Sequence, residues 1–361
     1  MLLALDQEHH RVAADSAPRA GTYVCPGCQK PVILKRGTVM SAHFVHVAGR
    51  SCDTFSEGET HEHLRGKQQL ADWFRRSGYH VQIEAPLRQL HQRPDLLVRR
   101  ADQAPLAIEF QCSPLSEKRL AERTRGYRQH GYRVLWLLGR PYRHGVHLHG
   151  KALKFVQAST GWGCFVPLWN VNTATLDLKY QLLTLDSEPL MMGTHAFNSH
   201  QLTVDQVLTT WFKPPVAPQT AAHFQRYQRM LTFGRLRRGG RQRDLQLFCY
   251  QHGGSLQQLP GWVLPVVARP PVLRTPWLVW YLHVFVHLTT HVGGLTVPDL
   301  HHLLWQTLRP LLAPVVCIRH RPQLLAGIVQ QLIKDLVRAG VLIPGAVGYT
   351  LNPAQLQWIN H

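Results

Sequence analysis

The sequence predicts a mixed α/β protein in three parts. A small cysteine–histidine module covers residues 1–55, a helix-and-sheet core 56–183, and a mainly helical region 184–361. Three observations predict this. First, two apolar runs, Leu96-Leu97-Val98 and Leu106-Ala107-Ile108-Glu109-Phe110, flank Arg99, Arg100, Asp102 and Gln103, the pattern of a β-hairpin. Second, helical spacing stands on either side of that hairpin: Glu59, His63 and Lys67 before it, Leu120, Arg123 and Tyr127 after it. Third, beyond about residue 187 the chain turns to apolar helical stretches broken by proline.

The first part opens on an alternating stretch, 2–14, that predicts a small hairpin. Cys25-Pro26-Gly27-Cys28 follows, then the strand Val32-Ile33-Leu34, a turn at Gly37, His43-Phe44-Val45-His46 and Cys52. Two cysteines on a tight glycine turn can bring two thiolates to one Zn²⁺, and two further ligands close the tetrahedron. Cys52 is the natural third. The fourth is His43 or His46, with His46 preferred because it lies nearer Cys52. A redox cysteine pair normally precedes a helix, whereas a strand follows here. Seven cysteines, three of them near histidines, predict a metal site in a reducing compartment rather than a disulfide framework. We therefore expect a structural zinc and a cytoplasmic location.

In the second part, Leu64, Leu70, Ala71, Trp73 and Phe74 form the buried stripe of a helix that Gly78 ends. A strand over 79–85 carries Glu84, and the hairpin follows. Alternation along its second strand sends Ile108 and Phe110 to one face, Glu109 and Gln111 to the other. Asp95 stands at the start of the partner strand, where it can share a pocket with Glu109. Hard divalent cations such as Mg²⁺ or Mn²⁺ favour such carboxylates. A carboxylate inside an apolar strand is rarely left unpaired. Ser116 caps the next helix, which carries Arg119, Arg123, Arg125 and Arg128, and an apolar strand with Trp136 closes the unit. Cys112 alternates away from the acid face and reads as core.

Lys and Arg number 40 against 21 Asp and Glu, a formal charge of +19. That excess favours polyanions, nucleic acid first, and the four arginines are candidates for DNA-backbone contact. A hydrophobic content of 45% excludes a disordered chain. No leader peptide is visible. The longest apolar run, 276–288, contains His283 and His287 and is too short to span a bilayer.

The ordered set of motifs resembles the CoiA family of bacterial competence proteins, within the PD-(D/E)XK nuclease superfamily. The resemblance rests on the cysteine–histidine module, the Glu59/His63/Lys67 helix, Arg93-Pro94-Asp95, Glu109-Phe110-Gln111-x-Ser113, the Leu120/Arg123/Tyr127 helix and the Trp136 strand. It covers residues 1–180 best. It implies a restriction-endonuclease-like fold and a Mg²⁺-dependent DNA phosphodiesterase with Asp95 and Glu109 as metal ligands. Glu59 would complete the site. Gln111 stands where the family pattern more often has lysine; an amide can orient water but cannot take its proton near neutral pH. Lys67 is the candidate to compensate. The implied setting is genetic transformation, with single-stranded or branched DNA as substrate and recombination proteins such as RecA as partners. A catalytically weak DNA-binding or mediator protein is the alternative.

Beyond the Trp136 strand, a histidine-rich tract at His144, His147 and His149 reads as chance clustering. Residues 155–183 predict short antiparallel strands that extend the sheet, and 198–212 predict a helix. Residues 223–243 read as a basic helix and tail, and 277–291 as an apolar helix. Two helical patterns, 296–312 and 324–339, then lead into Val341-Leu342-Ile343, Pro344-Gly345-Ala346 and Tyr349-Thr350-Leu351, a winged-helix-like ending. The last helix offers Lys334 and Arg338, which leaves DNA reading and protein docking both open.

Overall fold

The computed structural model describes residues 1–37, 42–47, 60–186, 188–213, 226–227, 229–231, 241–291 and 293–359. The chain divides into two compact units. The first contains Met1–Tyr180, Gly193–Lys213 and Val316–Arg319; the second contains Gln181–Met192, Pro214–Val315 and His320–His361. Among the described residues, no helix is long and apolar enough to cross a membrane.

The first unit begins with a meander: β1 (Leu3–Leu5), β2 (Arg11–Ala13), β3 (Tyr23–Val24), β4 (Pro31–Lys35) and β5 (His43–His46), in the order β2-β1-β3-β4-β5. The expected 2–14 hairpin is β1–β2, with Leu3 opposite Ala13. Tyr23, Val32 and Phe44 close over Met1, Ala4 and Cys25 as its core.

The larger sheet follows. Helix α1 (His61–Arg76) starts at Thr60, whose hydroxyl accepts the His63 N–H. It ends at Gly78, whose φ of +83° suits glycine. Then come β6 (His80–Ile83), β7 (Leu96–Arg99) and β8 (Leu106–Gln111) as an antiparallel meander. Helix α2 (Glu117–Gln129), capped by Ser116, crosses to β9 (Arg133–Leu138), which runs parallel to β8. Strands β10 (Gln157–Ser159), β11 (Gly163–Asn170), β12 (Thr175–Leu183) and β13 (Met191–Asn198) complete the order β13-β12-β11-β9-β8-β7-β6, with β10 paired to β11.

Leu70, Trp73 and Phe74 of α1 bury one sheet face with Leu96, Val98, Ile108 and Phe110. Each such side chain contributes about 1.5–3 kcal/mol when fully buried. Gly66 makes the close approach possible. A Cβ there would stand 2.1 Å from the Phe110 ring. The opposite face takes Leu120, Thr124 and Tyr127 of α2, and Trp136 donates its indole N–H to the Thr124 hydroxyl at 3.1 Å.

Residues 198–212 differ from expectation. The helix is only α3 (Val204–Leu208); Asn198 ends β13, and residues 199–203 turn between them. Local bonds set the boundary. The Asn198 side chain takes the His200 N–H, and Thr203 with Gln206 forms a capping box. Strand β13 lacks apolar alternation; Gly193 leaves room for the Tyr180 ring, 2.1 Å from where a Cβ would be. The expected boundary at 183/184 falls between β12 and β13, which are neighbours in one sheet.

In the second unit, α4 (Arg241–Gln251) precedes the apolar helix α5 (Trp277–Thr289), buried along most of its length. The Asp186 carboxylate caps α5 by accepting the N–H groups of Trp277 and Leu278, each at 2.8 Å. Then follow β14 (Gly294–Thr296), α6 (Val297–Leu308), α7 (Arg321–Arg338), β15 (Leu342–Pro344) and β16 (Gly348–Leu351), with the sheet order β14-β16-β15. The basic stretch 223–243 lies largely outside the described residues.

Candidate functional site

The meander puts Asp95 one residue before β7, and the antiparallel register sets Leu96 opposite Ile108. Continuing that register by one step brings Asp95 beside Glu109. The Asp95 Oδ2 accepts the Phe110 N–H at 2.8 Å and faces His63 Nε2 at 3.0 Å. Glu109 turns towards α2, where its Oε1 accepts from Arg123 at 2.5 Å and from the Tyr127 hydroxyl. The two acids therefore lie where β7 and β8 meet, braced by α1 and α2 respectively.

Their electrostatics diverge. Burial pushes the Glu109 carboxyl up to about 7 from its ordinary 4.5, more than Arg123 and Tyr127 pull it down, and Asp95 adds to the rise. Burial also opposes ionisation of Asp95, but His63, Lys67 and the Phe110 N–H outweigh it and hold that carboxyl below the usual carboxylate range. Two neighbouring acids pushed in opposite directions are a mark of functional sites.

A second layer lies behind Asp95. Lys67 is fully buried, with Nζ 2.5 Å from Glu84 Oε1 and 3.9 Å from Asp95 Oδ1. Glu84 also accepts the Leu2 N–H at 3.0 Å and approaches Arg93 at 3.4 Å. Its backbone N–H donates to the Asp95 carbonyl at 2.9 Å. At φ +50° it adopts the left-handed conformation, uncommon away from glycine and held here by these contacts. Burial would raise its carboxyl; Lys67 and Arg93 prevail and hold it well below the ordinary value. Glu84 and Arg93 carry as much of this network as the expected residues do. The sequence signal was an acid in a strand and a basic residue before Pro94-Asp95; burial gave both their partners.

Gln111 is buried, and its amide nitrogen donates to Ser113 O at 2.8 Å and Oγ at 3.0 Å. Lys67, expected to compensate for it, has no solvent exposure and faces Glu84. Glu59 and Cys52 lie outside the described residues. Of the four arginines expected on DNA, Arg125 is exposed and Arg119 half-buried. Arg123 is instead paired with Glu109, because the helix turns it onto the buried acid. Arg128 donates to the carbonyls of Val316 and Cys317, both at 2.7 Å.

Each of the two acids offers an oxygen of the kind a hard cation takes. Among the described residues, Asp95 Oδ1 and Glu109 Oε2 receive no hydrogen bond. Two oxygen donors suit Mg²⁺, which usually takes one or two carboxylates and completes its shell from water and phosphate. The other candidate metal centre is softer. Cys25, Cys28 and His46 bring three ligand atoms within 4.8 Å of one another, with Cys28 Sγ 3.3 Å from His46 Nε2. Two thiols and an imidazole can hold a metal ion. His43, buried at the far end of β5, is outside that trio.

The Glu109 pair allows one test. An acid whose folded titration is raised contributes most stability below about 4.5 and loses it as pH rises through about 7. Arg123→Ala removes the cation that offsets this. The variant's melting deficit should grow between pH 6 and pH 8; a deficit independent of pH would exclude this role for Arg123.

The comparisons with known proteins follow the same architecture. Residues 59–211 match the family model described as "Competence protein CoiA, nuclease-like domain", and residues 6–55 match "Competence protein CoiA, N-terminal domain". Competence protein CoiA of Bacillus subtilis (strain 168) is 32% identical over 117 residues, which cover 32% of this chain and 31% of that protein. The matched segment thus spans about a third of the curated relative. No solved structure matches. With one model on the cysteine–histidine meander and the other on the sheet and helices that hold the acid pair, the chain belongs to the CoiA family.

Proposed function

We propose that the protein is a DNA phosphodiesterase of the PD-(D/E)XK type that acts in genetic competence, on imported DNA or on recombination intermediates. The observation that carries this reading is the β7–β8 register, which extended by one step sets Asp95 across from Glu109 within an α1-β6-β7-β8-α2-β9 core. The basic chain and the exposed Arg125 favour a polyanionic substrate. A Mg²⁺ or Mn²⁺ ion held by Asp95 and Glu109 would neutralise phosphodiester charge and acidify water.

The chain's own residues do the rest. His63 and the Phe110 N–H fix one oxygen of Asp95; Arg123 and Tyr127 fix one oxygen of Glu109. Gln111, tied to Ser113, can orient but not take a proton. Lys67 acts from behind, as a positioning residue for Asp95 and Glu84, and never meets substrate.

A cleavage assay on single-stranded, duplex and branched DNA with Mg²⁺ or Mn²⁺ tests the reading. Metal-dependent cutting, lost in Asp95 and Glu109 variants, supports it. Binding without cutting supports the second reading, a catalytically weak DNA-binding protein, which Gln111 in the lysine position favours.

For the N-terminal module the proposed ion is zinc, held by Cys25, Cys28 and His46 with Cys52 as fourth ligand. Such a site contributes folding energy. Cys25→Ser should lower bound zinc and melting temperature together, as read by elemental analysis and a thermal melt. An unchanged metal content would sink the assignment.

A further inference from the structure

The second unit carries a face that the acid site does not use. Helices α5, α6 and α7, with β14 ahead of α6 and the β15–β16 hairpin after α7, follow the order of a winged helix, and β16 lies between β14 and β15. In helix-turn-helix proteins the later helix lies in the DNA major groove. Here that helix is α7, eighteen residues long.

One side of α7 is committed. Leu325, Ile328, Val329, Leu332, Ile333 and Leu336 are buried in the unit. The other side is exposed along its whole length through Gln323, Ala326, Gly327, Gln330, Lys334 and Arg338. Their spacing of three and four residues makes one stripe. The stripe has amides, small residues and cations, and no carboxylate. A Cβ on Gly327 would meet nothing within 4 Å, so the helix backbone is open to close approach. The nearest acid, Asp335, is neutralised by Arg269 at 2.6 Å and Arg338 at 3.1 Å. The wing brings no acid either: its turn is Pro344-Gly345-Ala346-Val347-Gly348.

The chemistry of that stripe selects its occupant. A protein-docking face is anchored by aromatic or large apolar side chains, and α7 exposes none. Glutamine pairs with adenine edges in the major groove, and Lys and Arg meet phosphate or guanine. We propose that the exposed face of α7 is a duplex-DNA docking surface, with Gln330, whose amide nitrogen lies 3.0 Å from His301 Nε2, towards the base edges and Lys334 on the backbone.

The test reads binding of the full-length protein to a labelled duplex two helical turns long, by fluorescence anisotropy over a salt series without added divalent metal. It is independent of cleavage at Asp95 and Glu109. Lys334→Glu should weaken binding about tenfold and lower the salt slope by about one. Gln330→Ala should weaken it about fivefold with the slope unchanged. Arg11→Glu, the same charge change on an exposed residue of the N-terminal module, is the control and should bind as wild type. Lys334→Gln provides the same comparison if the charge reversal disturbs folding. Wild-type affinity in the α7 variants would overturn the proposal. So would an equal loss in Arg11→Glu, which would mean that net charge alone is being read.

Discussion

Asp95→Asn, or Glu109→Gln, is expected to lower metal-dependent DNA cleavage by about 10²–10³-fold while DNA affinity stays near that of wild type. The magnitude follows from what an ion held there supplies: several kcal/mol of charge stabilisation, at 1.36 kcal/mol per tenfold in rate. Both substitutions keep size and a carbonyl acceptor. The amide oxygen of Asp95→Asn can still receive the Phe110 N–H, and that of Glu109→Gln can still receive from Arg123, so the fold keeps its main contacts. Only the negative donor oxygen is lost. The measurement is single-turnover cleavage across a Mg²⁺ series, with anisotropy for binding. Cutting that survives both substitutions would place the chemistry elsewhere in the chain, and cutting absent from the wild type would favour the binding reading.

The second large effect is on stability. Lys67→Met should destabilise the first unit by about 3–5 kcal/mol, the cost of leaving one member of a buried ion pair without its partner. At about 2–4 °C per kcal/mol for a unit of this size, the melting temperature should fall by about 6–20 °C. Glu84 is the reason. It is 1% exposed, and Arg93, its other cation, stands farther away at 3.4 Å. In wild type, the folded titration of Glu84 lies well below the ordinary 4.5, so the pair's contribution is complete above 4.5 and is lost as pH falls below it. In Lys67→Met the buried carboxylate is penalised most at neutral pH, and the deficit should shrink in acid. Lys67→Met/Glu84→Gln, which removes the charge but keeps an acceptor for the Leu2 N–H, should recover much of the loss. No recovery in the double variant would show that Lys67 acts through packing alone.

Much of the first unit was legible because its signals are local. Alternation marked β7 and β8, Ser116 capped α2, and Gly78 ended α1 where the sequence placed the stop. Spacing paired Cys25 with Cys28 and offered His43 or His46 as a partner, and the trio forms with His46. Strand β13 was not legible. Met-Met-Gly-Thr-His-Ala-Phe-Asn has no apolar period, and a strand at the edge of a sheet is held by its neighbour rather than by its own pattern. The roles of Arg123, Arg128 and Lys67 were hidden for a related reason. A basic residue on a helix has the same sequence whether it faces solvent or a buried acid. What decides is which strand lies beneath it.

The sequence by itself determined the order of helices and strands around the hairpin and the presence of a cysteine pair with histidines nearby, because backbone periodicity and donor chemistry are carried by neighbouring residues. Tertiary structure alone decided that Lys67 and Glu84 would be enclosed together behind Asp95, that Arg123 and Tyr127 would hold Glu109, and that α7 would present a face without acids. Each of those depends on residues far apart in the chain being removed from water side by side, and burial sets both their charge state and their partners.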